Sequence, residues 1–347
     1  MVSVLRGRSG LGRPTRYATA IVAALAVAAG CSAATEPAPD TGVVITAAGD
    51  IGASDNALQV WQLARSLHPD VHLALGDLSY AELTPESAWC DAVAAAVGPD
   101  FPLELLAGNH DSLDERDGSI EAFTACLPNR VAGMSGDYGR EYTIDLPARD
   151  PVVRIVAASP NLTFADGRWE YRTDDAHDRW LSGAIRDARS KGVAWVVVAA
   201  HFPCPTVGVH TCPPVTDFYH RVMAEGADVV LHGHEHAYQR TYQLREGSPQ
   251  CPRLPTDAFD EACIADRGPV FAAGAGTVFA TAGTGGTALR DVDLGNPAAG
   301  YFAALSGRNA DPAHGVLRIT ADRQELRAQF VSTVPGAFAD SFTIQRP

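Results

Sequence analysis

The sequence is poor in positive charge. Lys191 is the only lysine, and 27 lysines and arginines stand against 41 aspartates and glutamates, which gives a formal net charge of -14. Four of the arginines lie within the first 30 residues, where no acid occurs, so the rest of the chain carries -18. Such a chain lacks the general basic field that a nucleic-acid partner requires, and we expect none. A small anionic ligand is compatible with this charge, because bound cations can supply local positive charge.

The sequence also lacks an apolar run that could comfortably serve as a permanent membrane span. Residues 17–30 form only a short apolar stretch, preceded by a basic region at residues 6–16. This pattern predicts a signal peptide over residues 1–30. The small residues before Cys31 resemble a bacterial lipoprotein processing site, which predicts lipidation of Cys31 and a tether over residues 31–41. Ordinary secretion, with cleavage near Ala34, is the alternative.

No Cys-x-x-Cys pair occurs, which argues against a cysteine-bound zinc. The chain has seven cysteines, and six remain once Cys31 is assigned to a lipid. An even number predicts disulfides and a location outside the cytoplasm. Six cysteines allow 15 pairings. Proximity in the sequence favours the pairs Cys204–Cys212, Cys251–Cys263 and Cys90–Cys126.

We find no internal repeat and no composition break after residue 42, so we expect one domain over residues 42–347. Short apolar runs alternate with helical stretches, which favours a layered α/β fold. Helices are expected over 55–67, 86–97, 174–190 and 218–225. Strands are expected over 43–48, 71–75, 103–107, 142–146, 152–158, 193–200, 228–231, 270–273, 315–320 and 326–331. Residues 274–286 are rich in glycine but lack the context of a dinucleotide site, and we interpret them as a loop beside the functional site.

Five short motifs contain most of the residues that can bind metal. Each follows a predicted strand, and ligands of open α/β sheets bind where the loops at the strand ends converge. Any one motif has a simpler explanation, such as a turn, a helix cap or a buried histidine. Together they offer carboxylate, amide and imidazole groups suited to divalent or trivalent cations. The motifs are Gly49-Asp50-Ile51-Gly52, Gly76-Asp77-Leu78-Ser79-Tyr80, Gly108-Asn109-His110-Asp111, Val198-Ala199-Ala200-His201 and Gly233-His234-Glu235-His236.

These motifs resemble those of the calcineurin-like metallophosphoesterase superfamily, and more closely those of purple acid phosphatases, as does GHEHAYQRT at residues 233–241. The resemblance implies a four-layer α/β/β/α sandwich of two mixed sheets. It implies an exported phosphatase that hydrolyses small phosphomonoesters with a metal-activated hydroxide. One alternative is a Mn- or Zn-dependent phosphodiesterase or nucleotidase of the same superfamily. Another is a catalytically silent surface protein that binds phosphate or acts in adhesion.

The resemblance also implies two sets of metal ligands. Most of the superfamily has a histidine where Gly52 stands, and Tyr80 resembles the tyrosine with which purple acid phosphatases complete the first site. A phenolate is a hard donor, so we expect Fe(III) there and Zn(II), Mn(II) or Fe(II) at the second site. The implied first site is Asp50, Asp77, Tyr80 and His236. The implied second site is Asp77, Asn109, His201 and His234, with Asp77 bridging.

Five further residues are candidates for roles beside the ligands. His110 resembles the outer histidine that assists the leaving group, and we expect Asp111 to orient it through a carboxylate–imidazole hydrogen bond. His210 resembles a substrate-side histidine, although it is equally compatible with a residue at the rim of the site. His232 is interpreted as structural. Asn161 begins an N-glycosylation sequon, which we interpret as incidental.

Overall fold

The computed structural model describes residues 42–347. The predicted signal peptide, the tether and Cys31 therefore lie outside the described residues. Within the described part of the chain, no helix is both long and apolar enough to cross a membrane.

Nineteen β-strands and five α-helices make up the secondary structure of residues 42–347. The helices are α1 (Asp55–Ser66), α2 (Glu86–Val97), α3 (Ile120–Cys126), α4 (Ala176–Ser190) and α5 (Asp217–Ala224). The strands are β1 (Val43–Ala48), β2 (Val71–Ala74), β3 (Leu103–Leu105), β4 (Met134–Asp137), β5 (Glu141–Leu146), β6 (Val153–Ala157), β7 (Leu162–Phe164), β8 (Gly167–Trp169), β9 (Trp195–Ala199), β10 (Val229–His232), β11 (Tyr238–Thr241), β12 (Gln243–Leu244), β13 (Ile264–Asp266), β14 (Val270–Ala272), β15 (Val278–Ala282), β16 (Phe302–Ser306), β17 (Gly315–Ala321), β18 (Glu325–Ser332) and β19 (Asp340–Gln345).

Two mixed sheets dominate the fold. The first has seven strands in the order β14-β19-β18-β17-β1-β2-β3, and the second has eight in the order β16-β11-β15-β10-β9-β6-β5-β4. β1, β2 and β3 pair in parallel, and so do β6, β9, β10 and β15. The parallel strands of each sheet therefore end at one edge, where their following loops can meet.

The two sheets pack face to face around an apolar core. Alternate residues such as Ile45 of β1, Leu73 of β2 and Val197 of β9 lie in this core, and all three are buried. The opposite faces of the strands form a second core with the helices, to which α1 contributes Trp61 and α4 contributes Leu181. The layers are thus helix, sheet, sheet and helix, and the expected four-layer α/β/β/α fold is confirmed.

The helix starts follow the signals in the sequence. The Ser54 hydroxyl accepts the Ala57 amide at 3.2 Å and caps α1, and Asp175 caps α4 through the Asp178 amide at 2.8 Å. The predicted helices and strands match observed elements to within about two residues at most ends, the usual uncertainty of an element boundary.

One interpretation of the sequence is wrong in part. Residues 274–286 are not a continuous loop, because they contain β15, a strand inside the second sheet. β15 pairs in parallel with β10 and antiparallel with β11. Only the residues that follow β15 form a loop beside the site. There Gly285 N donates to Gly49 O, and Thr287 N, just beyond the segment, donates to Asp50 O.

The three disulfides favoured by sequence proximity are confirmed. They are Cys90–Cys126, Cys204–Cys212 and Cys251–Cys263. Cys90–Cys126 joins α2 to α3, whereas the other two close loops of the second half of the chain. Three disulfides are typical of a protein that folds outside the cytoplasm.

Candidate metal centre

The polar residues of the five motifs lie where neighbouring strands end. Asp50 follows β1, Asp77 follows β2, and Asn109 follows β3, while His201 and His234 follow β9 and β10 of the other sheet. The two sheets thus bring their strand ends to one place. Asp50, Asp77 and His234 also have a left-handed backbone, with φ of 60°, 55° and 69°. Side-chain-bearing residues adopt this conformation at a cost, and such outliers concentrate at functional sites.

Gly108 permits the close approach of the strand-end loops. A Cβ at this position would lie 2.1 Å from Asp77 Oδ1 and 2.4 Å from Asp77 N. No side chain fits there, so the glycine of the Gly-Asn-His-Asp motif is required by packing against the Asp77 loop.

Tyr80 lies at the centre of the first group of predicted ligands. Its Oη is 2.9 Å from Asp50 Oδ1, 3.1 Å from Asp77 Oδ2 and 3.0 Å from His236 Nε2. His236 Nδ1 lies 3.0 Å from the carbonyl oxygen of Ala288 and can only donate to it, which leaves Nε2 with a lone pair. Three acceptors therefore surround a hydroxyl that has one proton. A cation can satisfy all of them at once.

The second group of predicted ligands gathers around Asn109. Asn109 Oδ1 lies 3.1 Å from His201 Nε2 and 3.0 Å from His234 Nδ1. Asp77 Oδ1 is 3.2 Å from His201 Nε2, so the two carboxylate oxygens of Asp77 face different groups. Ligand atoms of Asp77, His201 and His234 lie within 4.8 Å of one another, close enough to hold one ion.

His201 has its coordinating nitrogen fixed by the backbone. Its Nδ1 donates to Leu75 O at 2.8 Å, and its Nε2 therefore faces Asp77 and Asn109. A hydrogen bond from one ring nitrogen to a carbonyl is the usual way to orient a metal-binding histidine.

The charges of this centre need a positive partner. Asp50 is fully buried, its Oδ2 has no hydrogen-bond partner, and burial raises its pKa to about 7. Burial also tends to lower the pKa of His201, but the adjacent Asp77 carboxylate outweighs it and raises that pKa to about 9. The raised pKa values of Asp50 and His201 mean that protonation is favoured where the acceptors converge. A bound cation can supply the same positive charge. The residues fit a pair of metal ions in donor type and in arrangement.

The expected hydrogen bond between Asp111 and His110 is absent, and this part of the sequence interpretation is wrong. The buried Asp111 carboxylate instead accepts three backbone amides, those of Asp77 at 2.7 Å, Leu78 at 3.0 Å and Gly108 at 2.9 Å. Its oxygens are occupied in holding two strand-end loops together, so Asp111 cannot orient the imidazole.

His110 is oriented by Asp117 instead. His110 Nδ1 lies 2.6 Å from Asp117 Oδ2, and its Nε2 points to the metal centre, 3.8 Å from Asp77 Oδ2. The ring also packs on Tyr80 with centroids 4.4 Å apart. Asp117 was missed because the polar segment that follows Asp111 contains several acids, and nothing in the spacing distinguishes one of them.

The centre opens into a cleft of about 380 Å³. His210 lines this cleft together with His110, Asn109, His234 and His236, and its ring lies 4.3 Å from that of His234. Arg168 and Arg290 also line it. Sequence reasoning missed both arginines, because they lie far along the chain from the motifs.

Two weaker candidates, His232 and Asn161, take part in neither group of ligands, although Asn161 lines the cleft. His232 is buried beside Phe279, with parallel rings 6.1 Å apart, and it takes no part in either group of ligands. Asn161 of the sequon is almost fully buried, and its amide nitrogen donates to Val215 O at 3.0 Å. An occluded amide of this kind is a poor acceptor for a glycan.

Comparison with known proteins defines the class. The sequence profile of the calcineurin-like phosphoesterase family matches residues 43–238, more than half of the chain. The protein therefore belongs to the calcineurin-like phosphoesterase family, and the expected membership of that superfamily is confirmed. No curated protein matches the chain significantly.

Solved structures share the fold at low sequence identity. The purple acid phosphatase PPD1 from yellow lupin (Lupinus luteus) seeds aligns with a TM-score of 0.65 at 17% identity, over 88% of this chain and 54% of the lupin chain. This chain thus spans about half of that protein. GAP50, the anchor in the inner membrane complex of Plasmodium, aligns at 0.53 and 10% identity over 88% and 89% of the two chains. PhoD aligns at 0.53 and 14% over 89% and 71%.

Proposed function

We propose that the protein is a binuclear metal-dependent phosphatase of the purple acid phosphatase type that hydrolyses small phosphomonoesters. The observation that supports this most is the position of Asp77. One of its oxygens lies 3.1 Å from Tyr80 Oη in the first group of ligands, and the other lies 3.2 Å from His201 Nε2 in the second. A carboxylate between two such groups is suited to bridge two cations.

The identity of the first metal follows from Tyr80. Position 52 is a glycine and offers no side chain, so the phenol is the fourth donor of the first group beside Asp50, Asp77 and His236. A phenolate favours a trivalent ion, and we assign Fe(III) to this group and Zn(II), Mn(II) or Fe(II) to the second. When bound, such a pair supplies a nucleophile at moderate pH and neutralises charge on the phosphoryl oxygens.

The side chain that we assign to the leaving group is His110, which lines the cleft. His110 Nδ1 donates to Asp117, so a protonated His110 presents its Nε2 proton toward the cleft. We assign to His110 the donation of that proton to the departing ester oxygen. Asp117 keeps the ring in this orientation.

The proposal is tested by an absorption spectrum and metal analysis of the pure protein. A phenolate-to-Fe(III) charge-transfer band is expected in the wild type, and Tyr80→Phe should abolish the band and reduce iron content. Tyr301→Phe is a matched control, because its hydroxyl accepts the Asp260 amide at 2.9 Å and takes part in neither ligand group. A Tyr80→Phe protein that keeps both its colour and its iron contradicts the ligand assignment.

The same measurements separate the alternatives. Full occupancy by Mn or Zn without colour, with turnover of diesters or nucleotides, favours a phosphodiesterase or nucleotidase in which Tyr80 does not bind metal. GAP50 shares the fold and is described as an anchor, so the fold alone does not establish catalysis. Absence of phosphate release from any ester by the metal-loaded protein favours the silent binding or adhesion role.

The location of the protein is part of the proposal. The disulfides and the basic and apolar segments before residue 31 support export, and the residues around Cys31 support a lipid anchor at the cell surface, with secretion as the alternative. Mass analysis of the mature N-terminus distinguishes them. A lipid on Cys31 supports anchoring, and a first residue downstream of Cys31 without lipid supports secretion.

A further inference from the structure

Arg290 differs from the other arginine of its segment in having no acidic partner. Arg308 pairs with Asp291, with Nη2 2.6 Å from Asp291 Oδ2. Within residues 42–347, by contrast, the Arg290 guanidinium makes no ion pair with any carboxylate, and its side-chain hydrogen bond is to His210, with Nη1 3.1 Å from His210 Nε2. Arg290 nevertheless lines the cleft that contains the candidate ligands. A half-buried guanidinium without a carboxylate is free to bind an anion.

The backbone on both sides of Arg290 is fixed. Its amide donates to His236 O at 2.9 Å, and its carbonyl accepts the Arg308 amide at 2.8 Å. The backbone that carries the Arg290 side chain is therefore hydrogen-bonded directly to His236, a candidate metal ligand. Little conformational entropy is lost when such a pre-ordered side chain binds its target.

His210 fixes the far end of the Arg290 side chain. A guanidinium can only donate, so His210 Nε2 must accept, and the neutral ring then has its proton on Nδ1. That nitrogen lies 3.3 Å from Glu235 Oε1, a carboxylate contact compatible with this tautomer. The Nε2 of His210 is thus occupied in accepting from Arg290.

Glu235 holds the loop that presents His210. Its buried carboxylate accepts the Val209 amide at 3.0 Å and the His210 amide at 2.8 Å, inside the loop closed by Cys204–Cys212. Glu235 itself lies between His234 and His236, so the loop is attached directly to the candidate metal centre. Glu235 therefore holds His210 in place, and His210 in turn holds the Arg290 side chain.

We propose that Arg290 binds an anionic oxygen of the phosphoryl group at this centre, and that His210 is a positioning residue for Arg290 rather than a proton donor. This inference deepens the proposed function and rests on the same site. It assigns the phosphate-binding charge of the cleft to a residue that none of the five motifs contains. A guanidinium hydrogen bond to a phosphate oxygen contributes about 1.5–3 kcal/mol, a factor of roughly 10–100 in affinity.

The test is the binding of inorganic phosphate to the metal-loaded protein by calorimetry, with metal content measured for every variant. Arg290→Met should weaken phosphate binding about 10–100-fold without loss of metal. Arg308→Met is the matched control and should bind like the wild type, since its charge is already paired with Asp291. His210→Ala should weaken binding in the same direction, and the double variant should be no weaker than Arg290→Met alone, because the two residues act as one unit.

Three results overturn the inference: wild-type affinity in Arg290→Met, additive losses in the double variant, or no phosphate binding by the metal-loaded wild type. A loss of turnover in His210→Ala that grows with the basicity of the leaving group, at unchanged phosphate affinity, also overturns it and makes His210 the acid. Equilibrium binding needs no catalysis. A protein that hydrolyses no ester but binds phosphate through Arg290 therefore contradicts the proposed function and leaves this inference standing.

Discussion

Asp111→Ala should lower the stability of the protein, whereas Asp117→Ala should lower its activity and leave stability unchanged. Both acids nevertheless lie close to His110 in the sequence. The Asp111 carboxylate is 1% exposed and accepts three backbone amides. Asp111→Ala leaves those three donors without their partner, at about 1–3 kcal/mol for each buried group. Water can enter the space left by the carboxylate and reduce the cost. We therefore expect a loss near the lower end of the sum for three donors, about 3 kcal/mol in the free energy of unfolding.

Asp117 should behave in the opposite way. Its side chain is 40% exposed, and exchanges at such surface positions usually change stability by no more than about 0.5 kcal/mol. Its carboxylate nevertheless holds His110 Nδ1 at 2.6 Å. Loss of an orienting partner of this kind costs about 10–100-fold in activity, and we expect kcat of Asp117→Ala to fall within that range.

The assay pairs thermal unfolding with hydrolysis of a nitrophenyl phosphate. For a domain of about 300 residues, a loss of 3 kcal/mol corresponds to a fall in Tm of roughly 5 °C. Asp111→Ala should show this fall together with lower metal content, because the Asp77 and Asn109 loops are no longer held in place. Asp117→Ala should keep its Tm and its metal. An Asp111→Ala protein with normal Tm and low kcat, beside an Asp117→Ala protein with normal kcat, refutes the assignment.

Three further predictions concern other residues. His110→Ala should lower kcat by a factor of about 10²–10⁴ with metal content unchanged, and by less for nitrophenol than for alkyl leaving groups, because a good leaving group needs less protonation; equal losses across leaving groups contradict proton donation. Asp77→Ala should lose more metal than Asn109→Ala, since Asp77 faces both groups of ligands, and equal losses measured by elemental analysis contradict a bridge. Burial lowers the pKa of His72 to about 3, below its unfolded value of 6.5, so the stability that neutral His72 provides is lost as pH falls from 6.5 toward 3. Urea unfolding should show that loss as about 2 kcal/mol at pH 5 relative to pH 7, present in the wild type and absent from His72→Gln.

The sequence predicts the groups of candidate ligands because each of these residues lies within about six residues of the end of a strand. Asp50 and Asp77 come two or three residues after buried apolar runs, and parallel strands place such residues at a common edge. Tyr80 was recognised from its resemblance to the tyrosine of purple acid phosphatases, together with the glycine at position 52, which offers no ligand. These relations are local, and they remain visible in the residue order.

The missed strand β15 shows where local patterns stop being informative. Residues 278–282 are Val-Phe-Ala-Thr-Ala, and Val, Phe and Thr favour strands, but the run is only five residues long and glycine-rich segments flank it on both sides. The segment is fully buried, and it forms a strand because β10 and β11 offer it a hydrogen-bonding edge on each side. The glycines around it hid a short strand that its tertiary pairing makes plain.

The supporting residues of the site were hidden for a related reason. Asp117 and Arg290 contact His110 and His210 through single side-chain contacts across loops, at no fixed spacing from any strand end. Asp111, by contrast, stands in a motif and was given a role that its position beside His110 suggested. Its three amide hydrogen bonds depend on how the loops after β2 and β3 fold against each other, which becomes visible only when these two strands are paired in the first sheet. The residue order therefore identifies which candidate ligands come together, whereas the partners that orient them depend on how the loops fold.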